Sequence, residues 1–343
     1  MKIWTHKLLR FIWPFATVLI FTILLCLLIG VDLGQAFRGF FYGIFGNTFQ
    51  VSEILVKSTP LILAGLGCSI GFHCGFINLG AEGQLYIGAL ASSVVAIFLS
   101  GFPRIVLLLL MCFAGFIAGG VWAFIPGIMK AKFGLSEVIM SIMFNYIAIQ
   151  LIALSIRTWL KDPVYPFPMS SEFKENACLP LLLPNARLHM GFAVSLVCAL
   201  LLYIFLWKTA KGFQIRACGC NPCACSCVGV NVTRNIILSS LLSGGFAGVA
   251  GFVEVAGVQH RLIDGLSSNY GYLAIMVALL GNNHPAGVVL ASILLGAIDI
   301  GGLAMQRQAG VPTSLTTVIL GLIIIVFLIR NHYSKKEVGG IIH

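Results

Sequence analysis

The stretch WKTAKGFQIRACGCNPCACSCVGVNVTRN, residues 207–235, is a polar interruption between two strongly hydrophobic segments, and its reading sets the architecture around it. Asn221 can accept backbone N–H groups as an N-cap, Pro222 suits the first helical position, and Gly229 can close the helix in a left-handed conformation. The pattern predicts a two-turn helix, roughly 10 Å long at a rise of 1.5 Å per residue. Lys208, Lys211, Arg216 and Arg234 flank it with no acidic residue in the interval, so in a membrane protein this loop belongs in the cytoplasm. A short capped helix there is placed to contact another protein.

Working outward, composition fixes the class. Of 343 residues 59% are hydrophobic and 9% charged, mean hydropathy is +1.01, and apolar runs of about membrane-spanning length recur along the chain. This predicts an all-α polytopic membrane protein forming one transmembrane domain over residues 1–343. A net charge of +10 would suggest nucleic acid in a soluble domain. Here the positive residues cluster between spans, as membrane topology requires, so nucleic-acid binding is rejected and the surface partner is membrane lipid. The eleven cysteines lie mostly in apolar segments or in the cytoplasmic loop, which predicts free thiols acting as small apolar residues.

Taken in order, Lys2, Lys7 and Arg10 precede an apolar run from Phe11 to Gly30, read as a first span with its N-terminus inside. A cleaved signal is disfavoured because the run is long, lacks an A-x-A site and has bulky Leu25 before Cys26. Residues 31–50, aromatic and Gly-rich, are expected along the outer interface. A second span runs from about Ser52 to Phe72, with Gly67, Gly71 and Gly75 spaced to admit a close helix neighbour. A third begins near Asn78, Glu82 and Gln84; a fourth covers Arg104 to Ile125; a fifth, Ser136 to Arg157, contains Asn145. The proline-rich segment 158–186 is expected as the outer loop, followed by span six to Trp207 and span seven from Ile236.

The segment 265–281 is ambiguous, since its 11 strongly apolar residues cannot cross about 30 Å of hydrocarbon and would suit a re-entrant half-helix. Charge parity favours a full crossing, giving about ten spans with both termini, including the tail 331–343, in the cytoplasm. Twelve basic residues then fall inside and eight outside, with Lys57 in a span. Spans two to five and seven to ten run in opposite senses, and each half carries a Gly-rich, polar-interrupted stretch, residues 65–84 and 244–271. Inverted halves with matching broken helices point to a transport pathway.

Four segments carry a resemblance: TPLILAGLGCSIGFHCGFINLGAEGQLYIGA, GLSEVIMSIMFNYIA, GFQIRACGCNPCACSCVGV and YLAIMVALLGNNHPAGVVL. Together and in this order they resemble permease subunits of binding-protein-dependent ABC importers, in the branch that takes up nucleosides and simple sugars, from about residue 10 to 330. The resemblance implies a cell-membrane, multi-pass location and four partners: a second permease subunit, a separate ATP-binding subunit, an extracytoplasmic substrate-binding protein, and a small polar solute such as a nucleoside. It implies that the loop 207–235 presents a coupling helix, with Arg216, Gly219, Asn221, Pro222, Ala224 and Gly229 as the ATPase contact. The chain departs from the family at Cys223, Cys225 and Cys227, where other small, polar or aromatic residues are usual.

Two readings stay open for the polar residues. Carboxylates at the bilayer centre cost about 2.5 to 3.5 kcal/mol on insertion scales, so Glu82, Glu254 and Asp299 should face protein or water. Asn78, Glu82, Gln84 and Asn145 are either translocation-pathway or gating groups, suited to a neutral polar solute, or interhelical hydrogen bonds. His284, before Pro285, reads as a helix-start turn. The thiols of CGCNPCACSC could bind a metal, but neither paired CxxC modules nor a helping His is present. Small-residue substitution is preferred, and no metal or cofactor is expected.

An intramembrane enzyme would need a nucleophile–base or metal constellation, and no GxSG, HExxH or paired intramembrane aspartate occurs, so no catalytic residue is assigned. A stand-alone channel or secondary transporter would not need the coupling loop. GxxxxGK[ST] is absent, so ATP hydrolysis belongs to another chain.

Overall fold

The computed structural model describes residues 17, 20–24, 27, 30–184, 186–312, 314–323 and 325–326. Of the expected first span at Phe11–Gly30 only residues 17, 20–24, 27 and 30 are among them, and the tail 331–343 lies outside. The described chain is built from helices: α1 (Leu33–Phe45), α2 (Thr48–His73), α3 (Ala81–Phe98), α4 (Arg104–Phe133), α5 (Glu137–Ser155), α6 (Gly191–Lys208), α7 (Ala210–Cys220), α8 (Pro222–Cys227), α9 (Val232–Glu254), α10 (Tyr270–Leu280), α11 (Pro285–Ala309) and α12 (Ser314–Ile323). Among the described residues seven helices, α2 to α6, α9 and α11, are long and apolar enough to cross a bilayer. The expected count of about ten is not reached among the described residues, where α10, at 11 residues, is too short to span alone.

Two compact units divide the chain, one of residues 1–54 and 293–343, the other of residues 55–292. In the first, Asp32 caps α1 by accepting the N–H groups of Gly34 and Gln35. Gly39 and Gly43 then let α1 lie against Met305, Ala304 and Gly301 of α11, while Phe41, Tyr42 and Phe45 face outward. The stretch expected along an interface is thus a short amphipathic helix with one small-residue face buried.

The second unit is centred on α9, which packs along α4 and α3. Backbone-close crossings make this possible: a Cβ on Gly248 would overlap the carbonyl of Gly115, and one on Gly251 the carbonyl of Leu85. Gly67 of the predicted GxxxG face likewise meets the backbone of Ser243. The two ends of the unit can be told apart along α4. At its start, Arg104 donates to the Cys178 carbonyl in the 158–186 loop; at its end, Lys130 pairs with Glu137 and bonds the Gly75 carbonyl, and α4 stops at Gly134, whose φ of +64° gives a left-handed cap. The loop is irregular, with a short turn at Glu175–Ala177; the ion pair Arg261–Glu172 ties it to the segment after α9, and Arg157, just before the loop, pairs with Asp264 of that segment.

Two crossings of this unit are broken. After α2 ends at His73, residues 74–80 run without helix before α3 starts, and α3 leads to residues 100–102 beside the loop residue Asn176. After α9 and its π-helical extension Val255–Gln259, residues 260–269 run without helix before α10, which leads to a turn at 281–284 beside α6 and the end of α2. The two run in opposite senses. The segment 260–284 therefore travels from the loop end to the α7 end of the unit, partly as irregular chain.

Candidate translocation junction and docking helix

The broken crossings meet at their helix starts. Gly271, in the first turn of α10, lies so close to the first turn of α3 that a Cβ there would overlap the backbone of Glu82. The Glu82 carboxylate accepts the Gly271 N–H at 2.7 Å, and Ser267 and the Tyr272 N–H also bond it. Both helices point their N-terminal, partly positive ends at this spot, which favours a carboxylate there. Glu82 is 2% exposed. The Tyr86 hydroxyl accepts the Ser267 N–H, closing the same corner.

Asn78, Gln84 and Asn145 surround the start of α3, all buried. Asn78 donates to Gln84 Oε1 and to Ser243 Oγ, each at 2.8 Å, while its own Oδ1 accepts the Gly80 N–H and Gln84 Nε2. Asn145 accepts the Gly83 N–H at 2.8 Å and donates to the Leu79 carbonyl and the Tyr272 hydroxyl. These amides take up backbone groups that a broken helix leaves unpaired. The structure brings all four expected pathway residues into one cluster. Ser243, Ser267, Gly271 and Tyr272 complete it and were not singled out from sequence; the only local signal was the helix-start run SSNYGY at 267–272.

Other charged groups near the spans are sheltered. Glu254 is buried and accepts from Gln259. Asp299 is half-buried, and the Lys57 ammonium lies 5.6 Å from the centre of the Tyr270 ring.

At the α7 end, Thr209 caps α7 through the Gly212 N–H. Asn221 ends α7 with an extended backbone and caps α8, its Oδ1 accepting the Ala224 N–H at 3.0 Å, with Pro222 at the first helical position. Gly229 turns the chain out at φ +80°, with open space around it. Cys220, Cys223 and Cys227 are exposed, while Cys225 is buried. Cys218 is buried beside Cys225, and burial first, then that neighbouring thiol, push it up to about 11. All ten described cysteines are free thiols. Ala224 is exposed; Gly219, also exposed, lies against the His73 backbone, and half-buried Arg216 sits over the Trp207 ring at 5.3 Å, so these two seat the arm.

Residues 50–328 match the family described as the branched-chain amino acid transport system permease component. The chain is 38% identical over 323 residues, 92% of its length and 91% of the relative's, to the guanosine ABC transporter permease NupP of Bacillus subtilis. It is 34% identical to the glucose ABC transporter permease TsgB13 of Haloferax volcanii, covering 91% of this chain and 84% of that one, and 29% identical to the nucleoside ABC transporter permease NupB of Lactococcus lactis, covering 86% and 83%. Among solved structures, PsaBC from Streptococcus pneumoniae aligns over 86% of this chain and 95% of its own at 15% identity and a TM-score of 0.45. With seven membrane-length apolar helices among the described residues and a family match over most of its length, the chain is a multi-pass membrane protein and belongs to this family of ABC transporter permease components.

Proposed function

We propose that the chain is the transmembrane subunit of an ATP-driven importer that carries a nucleoside across the inner membrane. The observation that carries this is full-length similarity to a permease named for guanosine, at 38% identity. In this reading it pairs with a second permease subunit, a separate ATP-binding subunit docks on α8 around Asn221, Pro222, Ala224 and Gly229, and a substrate-binding protein delivers solute on the side of the 158–186 loop. Arg216 and Gly219 hold the docking arm in place. The chain crosses the membrane about ten times in two inverted halves, with residues 265–281 as one of the crossings and both termini in the cytoplasm.

The meeting point of α3 and α10 is the gate. Asn78, Glu82, Gln84 and Asn145 hold it shut by satisfying the half-helix starts, and the same amides and carboxylate become available to the hydroxyls and ring nitrogens of a nucleoside when the crossings part. No residue of the chain acts as a catalyst, and no metal or cofactor takes part.

Uptake of labelled guanosine, cytidine and glucose by proteoliposomes holding the assembled complex tests the reading. ATP-dependent nucleoside uptake that unlabelled glucose does not compete is expected. Glucose uptake instead would favour the sugar reading that the Haloferax relative suggests. Uptake without ATP would favour a stand-alone transporter. Labelling of intact cells should modify Glu172→Cys from outside and spare Lys335→Cys; the reverse would overturn the orientation.

A further inference from the structure

We propose that Arg216, Trp207 and His284 form a mechanical link through which the docking arm α7–α8 moves the broken helix α10, and so the junction at Glu82. The inference rests on the reading of the chain as an ATP-driven permease and names the residues that transmit the motion within it.

Five side chains from four segments stack at one point. Trp207, at the end of α6, lies parallel to Tyr203 at 5.6 Å and edge-on to His73 at 5.4 Å. His284 lies 5.0 Å from Trp207 and 5.7 Å from Tyr203. The Arg216 guanidinium, from the arm, covers the Trp207 ring at 5.3 Å. His284 belongs to the turn that closes α10, and that turn is stiff: Asn282 and Asn283 hold left-handed conformations, Gly281 packs against the backbone of Gly287, and the Asn283 carbonyl accepts from Ser69 at 2.6 Å and bonds His73 Nε2 at 2.9 Å.

A displacement of the arm therefore reaches the rings first and the turn next. From the turn, α10 is an unbroken 11-residue helix, about 16 Å long, whose other end is Gly271 against Glu82. Val277 at its middle packs against Gly65 of α2, and both of its ends are tied, so a push at the turn is passed along the helix axis. The cluster also holds unspent polar groups: Arg216 Nε and Asn283 Oδ1 are buried without a hydrogen-bond partner among the described residues. A guanidinium on an indole suits such a link, because the contact is strong but slides.

The test uses the complete importer in proteoliposomes, with solute transported per ATP hydrolysed and co-purification of the ATPase measured for each variant. Trp207→Leu, Arg216→Gln and His284→Leu should each keep the ATPase bound yet lower solute per ATP at least tenfold, while Trp207→Phe and Arg216→Lys keep most of the coupling. Arg216→Gln with His284→Leu should be no worse than either alone, since both cut one link. Unchanged coupling in Trp207→Leu or Arg216→Gln overturns the proposal, as does a loss matched by loss of bound ATPase, which would make these residues part of docking only. Should Trp207→Leu not accumulate, Arg216→Gln decides, because it leaves the rings in place. A wild-type chain that binds no ATPase would refute the importer reading itself, and the link with it.

Discussion

The junction between α3 and α10 and the arm that ends in α8 are both helix starts with polar caps, yet only the junction adds caps from distant segments. At the junction the local caps, Ser267 to Tyr270 and Asn78 to Gly80, are joined by distant ones: Gly271 bonds Glu82, 189 residues away, and Gly83 bonds Asn145, 62 residues away. In the arm the caps are local, Asn221 to Ala224 and Thr209 to Gly212. The difference teaches what each is for. A lipid-depth helix break needs partners from other segments because water cannot serve it, and those partners tie the crossings together. A water-exposed helix needs none, which leaves its surface for another protein.

The largest contrast should come from glycines that look alike in sequence. Gly271→Val at the junction forces a side chain into the Glu82 backbone, and overpacking of this kind costs about 1–3 kcal/mol or more, so the variant should fall in membrane abundance by tenfold or more. Gly229→Val in the arm meets open space and strains only a left-handed turn, by about 1–3 kcal/mol locally. Its abundance should stay normal while binding-protein-stimulated ATP hydrolysis is lost, as it should be for Ala224→Trp. Equal abundance of the two glycine variants on immunoblots would erase the comparison.

A smaller effect separates charge from shape at the junction. Glu82→Gln keeps an oxygen for the Gly271 N–H but gives up charge-assisted bonding, a difference of about 1 kcal/mol, whereas Glu82→Ala leaves that N–H buried and unpaired at about 1–3 kcal/mol. Thermal unfolding in detergent should therefore rank wild type, Gln, then Ala. If Gln and Ala lose transport equally with both proteins stable, the carboxylate charge itself is used by the solute path.

The loop end can be probed by pH. Burial, and then nearby His260, push His189 down from an ordinary value near 6.5 to about 4. A base whose folded value is depressed leaves the unfolded chain holding more protons between those values, so stability is full above about 6.5 and falls as pH drops toward 4. The Tm should decline over that window, and His189→Gln should flatten the decline; an unchanged slope would place the acid sensitivity elsewhere. The smallest effect is expected in the arm, where Ala at Cys218, Cys220, Cys223, Cys225 and Cys227 together should leave uptake nearly intact. Loss of uptake together with metal in the purified wild type would revive a thiol site.

What the sequence by itself determined was local or additive. Hydropathy over about twenty residues marks the spans, and the order Asn221, Pro222, Gly229 marks α8, because helix caps act within three or four residues. The polar residues Asn78, Glu82, Gln84 and Asn145 stood out for a similar reason, as costly groups in apolar surroundings. Their partners did not, and neither did the rings around Trp207, because nothing near His73 in the chain indicates Asn283, 210 residues away. Only the tertiary structure decided that the two helix breaks face each other, that Arg216 turns inward onto an indole, and that an 11-residue helix runs from that indole to Glu82. Packing across distant segments is set by backbone approach at glycines such as Gly248 and Gly271, and a glycine's neighbour is not encoded beside it.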